Sequence, residues 1–128
     1  MFIDLKMLVW SAVLTLVLAF PYLIGLIAKL GLPTMAGNRE NLPAVEGWIG
    51  RSTRAHRNML ENLAPFAVLV LAAHVAGKAD TTTALGAQLF FWGRVAHAGF
   101  YIGGFPWVRT GAFVASFMGM LLILWRLI

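Results

Sequence analysis

Glu61-Asn62-Leu63-Ala64-Pro65-Phe66-Ala67-Val68-Leu69-Val70-Leu71 is an apolar run entered through charged and polar side chains. Arg54, Arg57, Asn58 and Glu61 stand at its mouth, spaced i, i+3, i+4 and i+7. With about 3.6 residues per turn, those positions return to one side of a helix and form a single stripe. Ionisable groups at the edge of a hydrocarbon-length segment are costly. They normally face a bundle interior and bind something. The stripe is the first place to look for function.

The rest of the chain puts that run in a membrane. Of 128 residues, 60% are hydrophobic and 12% charged, and the mean hydropathy is +0.81. A soluble domain has roughly 45–50% and about 25%. Four apolar stretches hold the excess, at about Met7–Leu30, Ala55–Gly77, Thr82–Tyr101 and Trp107–Trp125. Each is close to the ~20 residues with which a helix crosses ~30 Å of hydrocarbon. The expected fold is all-α: one domain over residues 1–128, a four-transmembrane-helix bundle with little mass outside the bilayer. The first stretch exceeds the ~7–15 residue core of a signal peptide, and no small-residue cleavage site follows it. It reads as a retained helix, with a kink expected over Val17–Pro21 because Pro21 removes a backbone donor.

The chain has no cysteine. A protein-borne thiol nucleophile, a disulfide and a thiolate metal site are therefore excluded, and no metal centre is expected. Any sulfur chemistry must arrive on a small molecule. The segment from Gly31 to Arg57 carries Arg39, Arg51, Arg54 and Arg57 against Glu40 and Glu46, whereas the next connection offers only Lys78 and Asp80. By the positive-inside rule that first loop is cytoplasmic and both termini lie opposite. The net charge of +5 serves topology and an anionic ligand; no nucleic-acid motif accompanies it. Gly31, Pro33, Gly37, Pro43, Gly47 and Gly50 mark the loop. Ser52 or Thr53 is the expected N-cap of the second helix.

A second polar stripe lies on the third span. Arg94, His97 and Tyr101 follow i, i+3 and i+7, ending beside the Gly103-Gly104 turn. Antiparallel second and third spans bring the start of one level with the end of the other. Arg54, Asn58 and Glu61 then meet His97 and Tyr101, and Arg109 and Thr110 open the fourth span at the same depth. Several arginines at one depth make a strong anion site. Glu61 among them can receive an ammonium group. This mixture of signs fits a small zwitterionic peptide, and Tyr101, Arg109 and Thr110 are donors able to stabilise a thiolate or oxyanion.

The run Arg54-Ala55-His56-Arg57-Asn58-Met59-Leu60-Glu61 resembles the R-A-x-x-N-x-x-E signature of the membrane-associated proteins in eicosanoid and glutathione metabolism, the MAPEG family. Pro65 fits the same pattern. Arg57, the run Gly93-Arg94-Val95-Ala96-His97 and Tyr101 look most like the microsomal prostaglandin E synthase branch, in a bacterial-type member. Arg109 resembles the arginine beside the glutathione sulfur. The resemblance implies a homotrimer with glutathione bound at subunit boundaries by Arg54, Arg57, Asn58, Glu61, Arg94, His97 and Tyr101. Arg109, Thr110 and Tyr101 are the implied catalytic residues, and glutathione is the co-substrate. The implied activity is transfer of glutathione to lipophilic electrophiles or reduction of lipid hydroperoxides. A non-catalytic subunit of a membrane complex is the alternative. Two departures stand out: Thr110 replaces a serine, and Ile102–Val108 is one residue shorter than in that branch.

Plainer readings exist for many of these residues. Arg51 and Arg54 can anchor to headgroups, Glu61 and Arg94 can pair across helices, and His97 can bond a neighbouring helix. His74 reads as structural. Two rival classes fit less well. A haem carrier would need His74 and His97 as axial ligands, yet antiparallel spans place them at different depths. A small multidrug exporter needs an intramembrane carboxylate. The first span has none after Asp4, and the arginines around Glu61 would repel a cation.

Overall fold

The computed structural model describes residues 2–37 and 46–128. In chain order they form α1 (Ile3–Leu30), a five-residue α2 (Leu32–Ala36), α3 (Gly47–Val75), α4 (Thr81–Gly103) and α5 (Pro106–Leu127), with no strand among the described residues. The expected loop residues Arg39, Glu40 and Pro43 lie outside them.

The side-chain contacts give the topology. Asp4 meets His74, while Gly25 packs on Trp48 and Ile49, so α1 and α3 run antiparallel. Arg51 reaches Ile102 and Arg94 reaches Asn58, which sets α3 against α4 in the same sense. Tyr101 faces Arg109, and Asp80 faces Arg126, so α4 and α5 form a hairpin. That hairpin is the tightest seam in the molecule. A Cβ on Gly93 would stand 2.9 Å from the Ser116 nitrogen, and one on Gly119 2.8 Å from the Phe90 nitrogen. Glycine is needed there because the backbones themselves touch. Among the described residues α5 makes no contact with α1; it lies outside α4 and packs more lightly on α3. The arrangement is therefore open on the side where α3 and α5 flank α4.

Three helices, α1, α3 and α5, are long and apolar enough to cross a membrane. The fourth expected span, α4, has 23 residues but dilutes its apolar character with Thr81-Thr82-Thr83, Gln88, Arg94 and His97. The core is built on Phe66 stacked on Phe90, ring centroids 3.8 Å apart, together with Met59, Val70, Ala87 and Ile123. Outward faces stay apolar. Leu16, Ile24, Val68, Val114 and Phe117 are exposed, as residues facing hydrocarbon or another helix are.

One expectation is corrected here. The second long helix does not begin near Ala55 under a Ser52 or Thr53 cap. It begins at Gly47, with Glu46 at the N-cap and no side-chain cap. Nothing between Gly47 and Pro65 forbids helix, and Trp48 and Ile49 gain a partner by packing on Gly25. Thr53 consequently donates to the Ile49 carbonyl within the helix, at 3.0 Å. α1 runs as one helical element from Ile3 to Leu30 with Pro21 inside it.

Candidate functional site

Extending α3 to Gly47 puts Arg51, Arg54, Arg57, Asn58 and Glu61 on one uninterrupted helix. Only part of that stripe turns inward. Asn58 is half-buried, whereas Arg54, Arg57 and Glu61 are exposed on the subunit's surface. Asn58 holds its place through Asn62, whose amide nitrogen donates to the Asn58 carbonyl at 2.8 Å and to Oδ1 at 3.3 Å. The same Oδ1 accepts a 2.6 Å bond from Arg94 Nη2.

Arg94 is the least ordinary residue of the chain. It is 1% exposed, and Gly93 next to it explains why: α5 approaches so closely there that the neighbouring side chain is enclosed. Its guanidinium lies 6.0 Å from the Phe113 ring centroid. Nε and Nη1 are buried with no hydrogen-bond partner among the described residues. A buried cation normally has a paired or hydrogen-bonded environment. His97, one turn on, is 3% exposed, and its Nδ1 also lacks a partner among the described residues. Its ring meets Tyr101 edge-on at 5.4 Å.

The turn after α4 brings the remaining donors in. The Arg109 guanidinium sits 4.3 Å from the Tyr101 ring centroid, and that of Arg54 5.9 Å from it. This geometry lets two cations share one ring face or edge. Thr110 is exposed and donates its hydroxyl proton to the Pro106 carbonyl at 3.0 Å, so toward a ligand it offers a lone pair. A cavity of about 210 Å³ lies between α3, α4 and α5, lined by Asn58, His97, Tyr101, Arg109, Thr110 and Phe113.

Five of the expected residues, Asn58, His97, Tyr101, Arg109 and Thr110, thus meet in one cavity, with Arg94 bonded to its wall. Arg54 reaches the rim through Tyr101. Arg57 and Glu61 are exposed and do not line the cavity. The Glu61–Arg94 pair is not formed; Arg94 has Asn58 instead. Phe113 was not anticipated: in an all-apolar span one aromatic side chain carries no distinguishing mark. Nor was the partnership of Asp4 and His74, whose carboxylate and ring nitrogen meet at 2.7 Å at the opposite end. The signal was there, an acid opening the first span and a histidine closing the second. Pairing them required knowing that α1 and α3 pack together.

No curated protein and no solved structure matches the chain. A family model does, over residues 7–128, essentially its full length. With three apolar helices long enough to span a bilayer, and a family of membrane proteins that includes glutathione-dependent transferases and peroxidases, this integral membrane protein belongs to the MAPEG family.

Proposed function

We propose that this protein is a membrane-bound, glutathione-dependent transferase or peroxidase of lipophilic electrophiles or lipid hydroperoxides. The observation that carries the reading is Arg94, a buried guanidinium with two unbonded nitrogens beside a cavity rich in donors. Such an environment suits an anion, and glutathione carries two carboxylates and one ammonium group. Glutathione would supply the thiolate nucleophile that a cysteine-free chain lacks.

In this reading Arg94, His97 and Asn58 bind the inner part of the peptide, and Arg54, Arg57 and Glu61 its charged ends. Tyr101 and Arg109 favour negative charge on the sulfur. Arg109 contributes a fixed positive charge and Tyr101 a hydroxyl donor. Thr110, whose proton is given to its own helix, orients the start of α5.

The cavity is smaller than the ~300–1,000 Å³ of ordinary ligand sites. Arg54, Arg57 and Glu61 also stand on the surface beside it. Both facts favour a homotrimer in which a neighbouring subunit closes the open side, and in which α4, shielded at the centre, also crosses the membrane. The whole chain then acts as one four-span domain over residues 1–128. In this reading the site end is cytoplasmic, and Arg57, the Gly93-Arg94-Val95-Ala96-His97 run and Tyr101 favour the bacterial-type prostaglandin E synthase branch.

Calorimetry and thermal melting of the detergent-solubilised protein with millimolar glutathione test the binding. A rise in Tm by mass action is expected; no heat and no shift overturns the reading. Turnover of an aryl halide or a lipid hydroperoxide separates the enzyme from its alternative, since binding without turnover marks a non-catalytic subunit. Native mass spectrometry is expected to give trimers, and a monomer with full activity contradicts the shared site.

A further inference from the structure

We propose that Arg51 is a positioning residue, whose guanidinium pins the end of α4 and thereby sets the spacing between Tyr101 and Arg109. Its functional consequence rests on the glutathione reading; its geometry rests on the α4–α5 turn alone. A helix ends with four carbonyls that its own ladder leaves without donors. In α4 these belong to Phe100, Tyr101, Ile102 and Gly103. The turn supplies two of them. The Phe105 N–H donates to the Phe100 carbonyl at 2.9 Å, and the Gly104 N–H to the Tyr101 carbonyl at 3.1 Å. That closure requires a left-handed residue, and Gly104 has φ +82°.

The Ile102 carbonyl takes its donor from another helix. Arg51 Nε donates to it at 2.9 Å, across 51 positions of sequence. The same guanidinium lies over Gly104, with Nε 3.6 Å and Cζ 3.7 Å from where a Cβ would stand. A cation there also opposes the negative end of the helix dipole. Gly104 and Phe105 alone separate α4 from α5. Any shift of that turn therefore moves Arg109 relative to Tyr101 and changes their 4.3 Å approach. A half-buried arginine bonded to a neighbouring helix is not free to extend to headgroups, so the anchoring expected of Arg51 gives way to a contact within the bundle.

Lys78 provides the control. Its Nζ donates to the Leu127 carbonyl at 2.9 Å, the same kind of bond at the far end of the molecule. The experiment compares wild type, Arg51→Ala, Arg51→Lys and Lys78→Met in two measurements. Amide hydrogen exchange without ligand is expected to quicken on the order of tenfold at Gly104, Phe105 and Arg109 in Arg51→Ala. With glutathione bound, the pH midpoint of thiolate absorbance is expected to move toward the free-thiol value near ~8.5, while glutathione affinity stays within about threefold. Arg51→Lys keeps stem and charge and restores most of both. Lys78→Met changes neither. Unaltered turn exchange in Arg51→Ala, an unaltered thiolate midpoint despite faster exchange, or equal changes in Lys78→Met each overturn the proposal. Should wild-type protein leave the thiol at its free value, the glutathione reading fails, and the exchange data still decide whether Arg51 holds the turn.

Discussion

The two ends of the bundle treat charge in opposite ways. At the α3 start, Arg94 has one protein acceptor and two unbonded nitrogens, and Arg54, Arg57 and Arg109 gather nearby, all without an ion-pair partner among the described residues. At the far end both carboxylates are matched. Asp4, 2% exposed, accepts from Thr83 Oγ1 at 3.1 Å and bonds His74 at 2.7 Å. Asp80 accepts from Arg126 and from the Thr82 and Thr83 N–H groups, completing a capping box on α4. Both ion pairs among the described residues are at this end. Between them the Phe66–Phe90 stack fills the core. Phe66 lies about 12 Å along α3 from both Asn58 and His74 at ~1.5 Å per residue. Matched charge ties helices together. Unmatched buried charge costs stability, and proteins keep it where a ligand repays the cost.

The largest expected effect lies at the unmatched end. Arg94→Met should weaken glutathione binding by on the order of 2–5 kcal/mol by calorimetry, because a desolvated charge contact is lost. The same substitution should leave the ligand-free Tm unchanged or raised, since an apolar side chain replaces an incompletely bonded cation. A lowered ligand-free Tm would erase the contrast between the ends.

The matched end should respond the other way. Asp4→Ala leaves His74 without its partner, while Thr83 keeps the Asp80 carbonyl at 2.9 Å, and should cost about 2 kcal/mol of stability, read from denaturant unfolding. Glutathione affinity should hold for the protein that remains folded. Coupled loss of both would mean that the Phe66–Phe90 layer does not insulate the two ends.

The seam joining the ends comes next. Gly119→Ala places a methyl 2.8 Å from the Phe90 nitrogen, with backbone rather than a flexible side chain in the way. It should cost about 2 kcal/mol as overpacking does. At Gly111, where nothing stands within 4 Å, the same change should cost almost nothing in packing.

The smallest effect is one of pH. The Asp80 carboxyl is held below its ordinary value of 3.8, first by the hydrogen bond from Arg126 and then by the Thr83 and Thr82 N–H groups. A group with a depressed folded-state value stabilises above its unfolded value and loses that contribution as pH falls through the folded one. Melting temperature should therefore fall slightly more between about pH 5 and about pH 3 in wild type than in Arg126→Gln. Equal slopes would show that the exposed pair contributes nothing, as many surface pairs do.

How far these features could be read without coordinates depended on their range along the chain. The helices were legible because apolar length is a local property, and the Arg94-His97-Tyr101 stripe because i, i+3, i+7 spacing is too. The start of α3 was misplaced because glycines at 47 and 50 and hydroxyls at 52 and 53 read locally as a loop and a cap. Packing of Trp48 and Ile49 on Gly25 outweighed that local preference.

By itself, then, the sequence determined a membrane-embedded helical chain with one polar end, no thiol of its own and a family motif that tertiary folding did not alter. Composition, periodicity and motif spacing are carried by neighbouring residues. Which charges are matched was decided only by the tertiary structure. Asp4 and His74 are 70 positions apart, Arg51 and Ile102 51, Arg94 and Asn58 36. Each partnership exists because particular helices pack in a particular register, and burial then makes an unpartnered charge costly and a partnered one stabilising.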